Sequence, residues 1–119
     1  MSIEVGIDLV DNKRIESLIS EKFIERILSV EERQVFERIT DHVRKVTYLA
    51  GRFAAKEAVF KALKNGDKTA NYTDFSILND EFGAPYIVSS RFSIFDTVKV
   101  SISHTDDYAT AIVIIEKKG

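Results

Sequence analysis

The apolar positions change period along the chain. Across residues 2–10 they alternate, with Ile3, Val5, Ile7 and Leu9 on one side and Glu4, Gly6 and Asp8 on the other. That period of two predicts a half-buried strand. Asp8 then stands opposite the aliphatic face near the strand end, and Gly6 beside it leaves room for a backbone or a ligand to approach. From Asp11 the pattern becomes helical. Asp11 or Asn12 can cap a helix that turns Ile15, Leu18 and Ile19 inward. Ser29 and Glu32 fit a capping box for a short helix with Val35, Phe36 and Ile39 inside. Thr40 or Asp41 caps a long central helix whose main stretch, residues 47–64, has no proline and is rich in alanine. At about 100° per residue, Val46, Leu49, Phe53 and Phe60 form a narrow apolar stripe, with Glu57 on its shoulder and Lys61 one turn on. Gly51, Ala55, Ala58 and Ala62 make a ridge of small residues on the opposite side, so the helix is expected to be covered on two sides.

The C-terminal half reads mostly as strands. Asn65 and Gly66 end the helix, with Gly66 as a left-handed cap, and residues 64–71 form a polar loop. Residues 72–78 read as a strand carrying Phe75 and Ile77. A turn over residues 79–85 brings Tyr86, Ile87 and Val88 back as a hairpin. Residues 89–97 fit no single pattern, since Phe92 and Phe95 also suit a helical turn. Residues 98–103 alternate, Thr105, Asp106 and Asp107 make a turn, and residues 108–115 form a second strand, with His104 at the bend. One strand, three helices and about four further strands give a single α+β domain over residues 1–119, an antiparallel sheet packed on a long central helix. The apolar run of residues 109–115 is expected to be buried on both faces, one of them against another subunit.

Composition narrows the function classes. The chain has 119 residues, 45% of them hydrophobic and 30% charged, which suits one soluble domain with a modest core. A net charge of −2 argues against a general nucleic-acid binder. The absence of cysteine excludes disulfides, thiolate zinc sites and a cysteine nucleophile. The start MSIEVGIDLV has neither a basic leader nor a long apolar run, and no stretch approaches a membrane span, so a cytoplasmic protein is expected.

Arg52, Lys56, Glu57 and Lys61 are more charge than a helix covered on two sides carries without partners, a metal or a bound anion. The plain reading is an i,i+4 pair of Glu57 with Lys61, worth about 0.2–0.5 kcal/mol. The functional reading needs a second carboxylate within reach of Glu57.

Four segments together carry a resemblance: GIDLVDNKRI at 6–15, FIERILSVEERQVF at 23–36, GRFAAKEAVFKAL at 51–63 and SISHTDDYATAIV at 101–113. In this order and at this length the chain closely resembles the holo-acyl-carrier-protein synthase family, the short single-domain type of 4′-phosphopantetheinyl transferase. The resemblance spans nearly the whole chain. It implies transfer of phosphopantetheine from coenzyme A to a serine of apo acyl carrier protein, with 3′,5′-ADP as the other product. It also implies Mg²⁺, a homotrimer with active sites between subunits, and a place in fatty acid biosynthesis.

Residue by residue, Asp8 and Glu57 match the metal-binding carboxylates, and Lys61 matches the lysine at the diphosphate. Mg²⁺ prefers one or two carboxylates, with water and phosphate completing its shell. Arg52 and His104 match coenzyme A contacts near its 3′-phosphate. The general base stays open between His104, a metal-bound water, and Glu57 acting through that water, and Lys56 has no assigned role. A basic early helical region, Lys13, Arg14, Lys22 and Arg26, is expected to receive the acidic carrier protein, with Arg14 foremost. The loop at residues 65–70 departs from the glycine-rich stretch common in the family. Two rival readings remain: a coenzyme A- or nucleotide-binding relative without turnover, and an interaction domain whose charges are only solvated faces.

Overall fold

The computed structural model describes residues 2–64 and 69–118. A strand β1 (Ser2–Asp11) leads into helices α1 (Asn12–Leu18), α2 (Glu21–Ile27), α3 (Val30–Arg38) and α4 (His42–Leu63). A single 3₁₀ turn (Tyr72–Asp74) precedes strands β2 (Ser76–Asn79), β3 (Pro85–Val88), β4 (Thr97–His104) and β5 (Tyr108–Lys117). β1, β5 and β4 form an antiparallel sheet in that spatial order, and β2 with β3 forms a separate hairpin. The expected α+β architecture is therefore present. No helix among the described residues is long and apolar enough to cross a membrane.

Side-chain caps set the helix starts. Asp11 accepts from the Lys13 backbone N–H, Ser20 from Phe23, and Asp41 from Arg44. Ser29 and Glu32 form the expected capping box. The Ser20 cap divides the early helical region in two, giving four α-helices where the sequence pattern suggested three. Ile15 is buried, but Leu18 and Val35 are exposed, because α1 and α3 are too short to bury a broad stripe. α4 begins at His42 and ends on Lys64, which takes a positive φ of 56°. The expected cap Gly66 lies outside the described residues. The strand expected at residues 72–78 is instead the 3₁₀ turn followed by β2. Residues 89–96, between β3 and β4, form turns rather than a helix.

α4 crosses the inner face of the three-stranded sheet, and the ridge of small residues makes this possible. A Cβ on Gly6 would lie 1.9 Å from the Ala58 carbonyl oxygen and 2.7 Å from the Ala62 nitrogen. The space beside Asp8 is thus filled by helix backbone. A Cβ-sized step along the ridge is also tight at Gly51, whose added methyl would meet Ile102 at 3.2 Å. Ala109, Ala111, Val113 and Ile115 of β5 complete this layer. The other side of α4 packs Leu49, Phe53 and Phe60 towards Ile27, Leu28, Phe36, Phe75 and Ile77.

Lys56 is the largest fully buried side chain of this core. Its ammonium donates to Glu32 Oε1 and the Ile27 carbonyl, both at 2.5 Å, and to the Tyr72 carbonyl at 3.0 Å. Glu32 in turn accepts from the backbone N–H groups of Ser29 and Ile77. The pair thus ties α2, α3, α4, the 3₁₀ turn and β2 together. Burial pulls Lys56 below the usual ammonium range, opposed by the Glu32 charge.

The outer face of the sheet is bare. Ile3, Val5, Ile7 and Leu9 are each at least half exposed, and Ile112 and Ile114 of β5 are 37% and 38% exposed. The expected burial of residues 109–115 on both faces is therefore not met within one chain: β5 alternates, with one face on α4 and the other open.

Candidate active site

β1 and α4 bring the first group of candidate residues together. Asp8 lies two residues beyond Gly6 on the strand face towards the helix. Lys61 reaches across from α4 and donates to Asp8 Oδ1 at 2.9 Å and to the Ile7 carbonyl at 3.0 Å. Asp8 is anchored from the sheet as well, since Thr110 Oγ1 donates to its carbonyl at 2.8 Å. Ile7, Asp8, Leu9, Lys61 and Thr110 line one open cleft.

Glu57 stands one turn before Lys61, yet the two do not form the i,i+4 pair that spacing suggested. Lys61 is taken by Asp8, and Glu57 Oε1 instead accepts a hydrogen bond from the Tyr72 hydroxyl. Burial, then this bond and the Glu57 charge, push the Tyr72 phenol up to about 12; the Asp8 charge adds to the rise and Arg26 opposes it. Tyr72 therefore feels both carboxylates. Asp8 and Glu57 each use one carboxylate oxygen, and their other oxygens have no partner among the described residues.

Arg52 and His104 belong to a second group. With Arg44, Thr47, Tyr48, Gly51, Asn79, Ile39 and Ile102 they line a cavity of about 260 Å³. Arg52 is nearly buried, 7% exposed. It donates to the Ile77 carbonyl at 3.3 Å and to Asn79 Oδ1 at 3.2 Å, and lies 4.3 Å from the Tyr48 ring centre. No carboxylate among the described residues lines this cavity, so its two arginines leave it cationic and fit to take an anion, with His104 at its wall. Arg52 and Glu57 point about 140° apart around α4 at its regular spacing. One chain thus carries the two groups on different sides of the same helix.

The basic early region is exposed as expected. Lys13 and Arg14 lie on α1, Lys22 and Arg26 on α2. Arg26 lies over the ring of Tyr72, 5.9 Å from its centre. His42 is exposed, with Nε2 2.7 Å from Glu16 Oε2. Lys56, unassigned from the sequence, is a core residue. Two residues of these sites are not singled out by the sequence pattern: Tyr72, which falls in the stretch expected to be a strand, and Arg44, in the first turn of α4.

The fold and these two groups define a transferase class. The family model described as the 4′-phosphopantetheinyl transferase superfamily matches residues 4–113, and this chain belongs to that superfamily. Within it the relatives are holo-acyl-carrier-protein synthases. That of Acholeplasma laidlawii is 52% identical over 114 residues, covering 96% of each chain. A crystal structure of the Bacillus anthracis synthase, in complex with coenzyme A (3′,5′-ADP), superposes with a TM-score of 0.87 at 38% identity, covering 97% of this chain and 96% of that one. The Helicobacter pylori synthase in complex with coenzyme A gives 0.78 at 32% identity, covering 94% and 99%.

Proposed function

We propose that this chain transfers 4′-phosphopantetheine from coenzyme A to a serine of apo acyl carrier protein, using Asp8, Glu57 and Lys61. The observation that carries the assignment is the junction of β1 and α4, where Lys61 bonds Asp8 one turn from Glu57. Asp8 and Glu57 fit a divalent cation such as Mg²⁺. Each is an acceptor-only carboxylate with one oxygen to spare, and no group of three His, Cys, Asp or Glu forms among the described residues, which leaves the remaining positions to water and phosphate. When bound, Mg²⁺ supplies neutralisation of the charge on the diphosphate oxygens. Lys61 has three donors and uses two on Asp8 and Ile7, so the third remains for a phosphate oxygen. Its bond to Asp8 also fixes the strand carboxylate against the helix.

The Arg52, Arg44 and His104 cavity is assigned to the 3′-phosphate end of coenzyme A. Because it opens on a different side of α4 from Glu57, a complete site needs two copies of the chain. The bare face of Ile3, Val5, Ile7 and Leu9 supports a homotrimer with sites between subunits. Covering each such side chain stabilises by up to about 1.5–3 kcal/mol. Lys13, Arg14, Lys22 and Arg26 are assigned to the acidic carrier protein, and the compartment to the cytoplasm.

The test mixes the protein with coenzyme A, Mg²⁺ and an apo carrier protein and follows the carrier mass. Addition of phosphopantetheine is expected, with loss of turnover by orders of magnitude in Glu57→Gln at unchanged fold. Coenzyme A binding without transfer, or full activity of Glu57→Gln, would overturn the reading. A fully active monomer by light scattering at micromolar concentration would overturn the assembly.

A further inference from the structure

Tyr72 is held from several directions at once. Its carbonyl accepts from the buried Lys56 ammonium, which Glu32 and the Ile27 carbonyl fix in turn. Its ring stacks on Phe53 at 5.8 Å between centroids, meets Phe60 edge-on at 5.1 Å, and lies beneath the Arg26 guanidinium. A tyrosine side chain turns about only two torsions up to its ring, so these contacts leave its hydroxyl little choice of position. Glu57 is the opposite case. It is partly exposed, carries three torsions, and has no hydrogen bond to its carboxylate among the described residues except that of Tyr72.

We propose that Tyr72 is a positioning residue for Glu57: its O–H···Oε1 bond holds the carboxylate in one orientation and leaves Oε2 to bind the divalent cation. This rests on the reading of Glu57 as a metal-holding carboxylate. The backbone anchor at Lys56 and the aromatic walls at Phe53 and Phe60 carry the rigidity of the core out to a partly exposed acidic side chain. A phenylalanine at position 72 would supply the packing without the orientation. Groups that orient a metal-holding side chain typically change metal affinity or activity by roughly 10–100-fold when removed.

The experiment compares wild type, Tyr72→Phe, Glu57→Gln and the double variant, each with coenzyme A present. Mn²⁺ binding is followed by electron paramagnetic resonance, alongside kcat, the KM for coenzyme A and the thermal midpoint. Tyr72→Phe is expected to weaken Mn²⁺ binding and lower kcat by roughly 10–100-fold. Its KM for coenzyme A should stay within about twofold and its midpoint close to wild type, since a ring remains to fill the site. In the Glu57→Gln background the same change should do nothing further, because two groups acting as one unit do not add. Wild-type Mn²⁺ affinity in Tyr72→Phe, or its full effect repeated on top of Glu57→Gln, overturns the inference. Absence of transfer by wild type would overturn the functional reading instead, while the Mn²⁺ titration still decides the role of Tyr72.

Discussion

Gly6→Ala adds one methyl group and drives the two halves of the site apart. The new Cβ would stand 1.9 Å from the Ala58 carbonyl oxygen, where real Cβ contacts essentially never fall below 3.0 Å. Its other near neighbours, Ala62 N and the Ala58 carbonyl carbon, are also helix backbone, so no side-chain rotation relieves the clash. Reaching ordinary contact at 3.4 Å requires β1 and α4 to separate by about 1.5 Å. Glu57 and Lys61 flank Ala58 and Ala62 on the helix, and Asp8 is two residues further along the strand. The separation therefore falls on the bonds from Lys61 to Asp8 and Ile7, now 2.9 and 3.0 Å long. Overpacking costs about 1–3 kcal/mol, and backbone contact sets this case at the upper end. In a chain of this size that lowers the thermal midpoint by on the order of 10 °C. A misplacement of about 1 Å costs on the order of 100-fold in rate. The assay is calorimetry beside steady-state carrier modification, with kcat/KM expected to fall about 100-fold. A variant that keeps the wild-type midpoint and turnover would refute the claim that strand–helix contact at Gly6 sets the site.

Three further outcomes can be measured. Lys56→Met leaves the Glu32 carboxylate buried without its cation and should destabilise by about 3–5 kcal/mol in urea; a change below about 1 kcal/mol would show the pair to be dispensable. Tyr72 holds its proton more tightly in the folded state, its phenol at about 12 against 10.0, so its contribution to stability is full below pH 10 and is lost as pH rises through about 12. The absorbance difference between wild type and Tyr72→Phe should show a tyrosinate step near 12, and a step at 10 contradicts the burial argument. Arg14→Glu should raise KM for the carrier protein far more than KM for coenzyme A, with the gap narrowing as salt rises; an unchanged carrier KM at low salt moves the docking surface elsewhere.

Much of this molecule is written locally. The alternation of β1 puts Asp8 and Gly6 on one face because side chains in a strand have period two, and no partner is needed to see it. The capping box at Ser29 and the cap at Asp41 are likewise short-range chemistry. What stayed illegible depends on contacts distant in sequence. Lys56 looked like a motif residue without a task, since its partner Glu32 is 24 residues away and shows nothing of burial in its own neighbourhood. Lys61 looked paired with Glu57 because helical spacing is visible in sequence and the packing of β1 against α4 is not. Tyr72 resembled a strand start, and only the packing of Phe53 and Phe60 turns its hydroxyl to Glu57. The bare aliphatic face was readable as a pattern, but its direction, away from α4, was set by the methyl-sized gap at Gly6 rather than by hydrophobicity.

The place of β1 in the sheet bears on how the chain comes into being. Its strand partner is β5, with Ser2 opposite Lys117 and Asp8 opposite Ala111. β1 is made before β5 and waits for it, holding its aliphatic side chains and its backbone donors unmatched while the residues between them are made. Pairing so remote in sequence carries a loop-closure cost and slows folding. Asp8 is consequently set in its sheet only once β5 has been made, and the site is a late product of folding rather than a property of the β1–α4 segment alone.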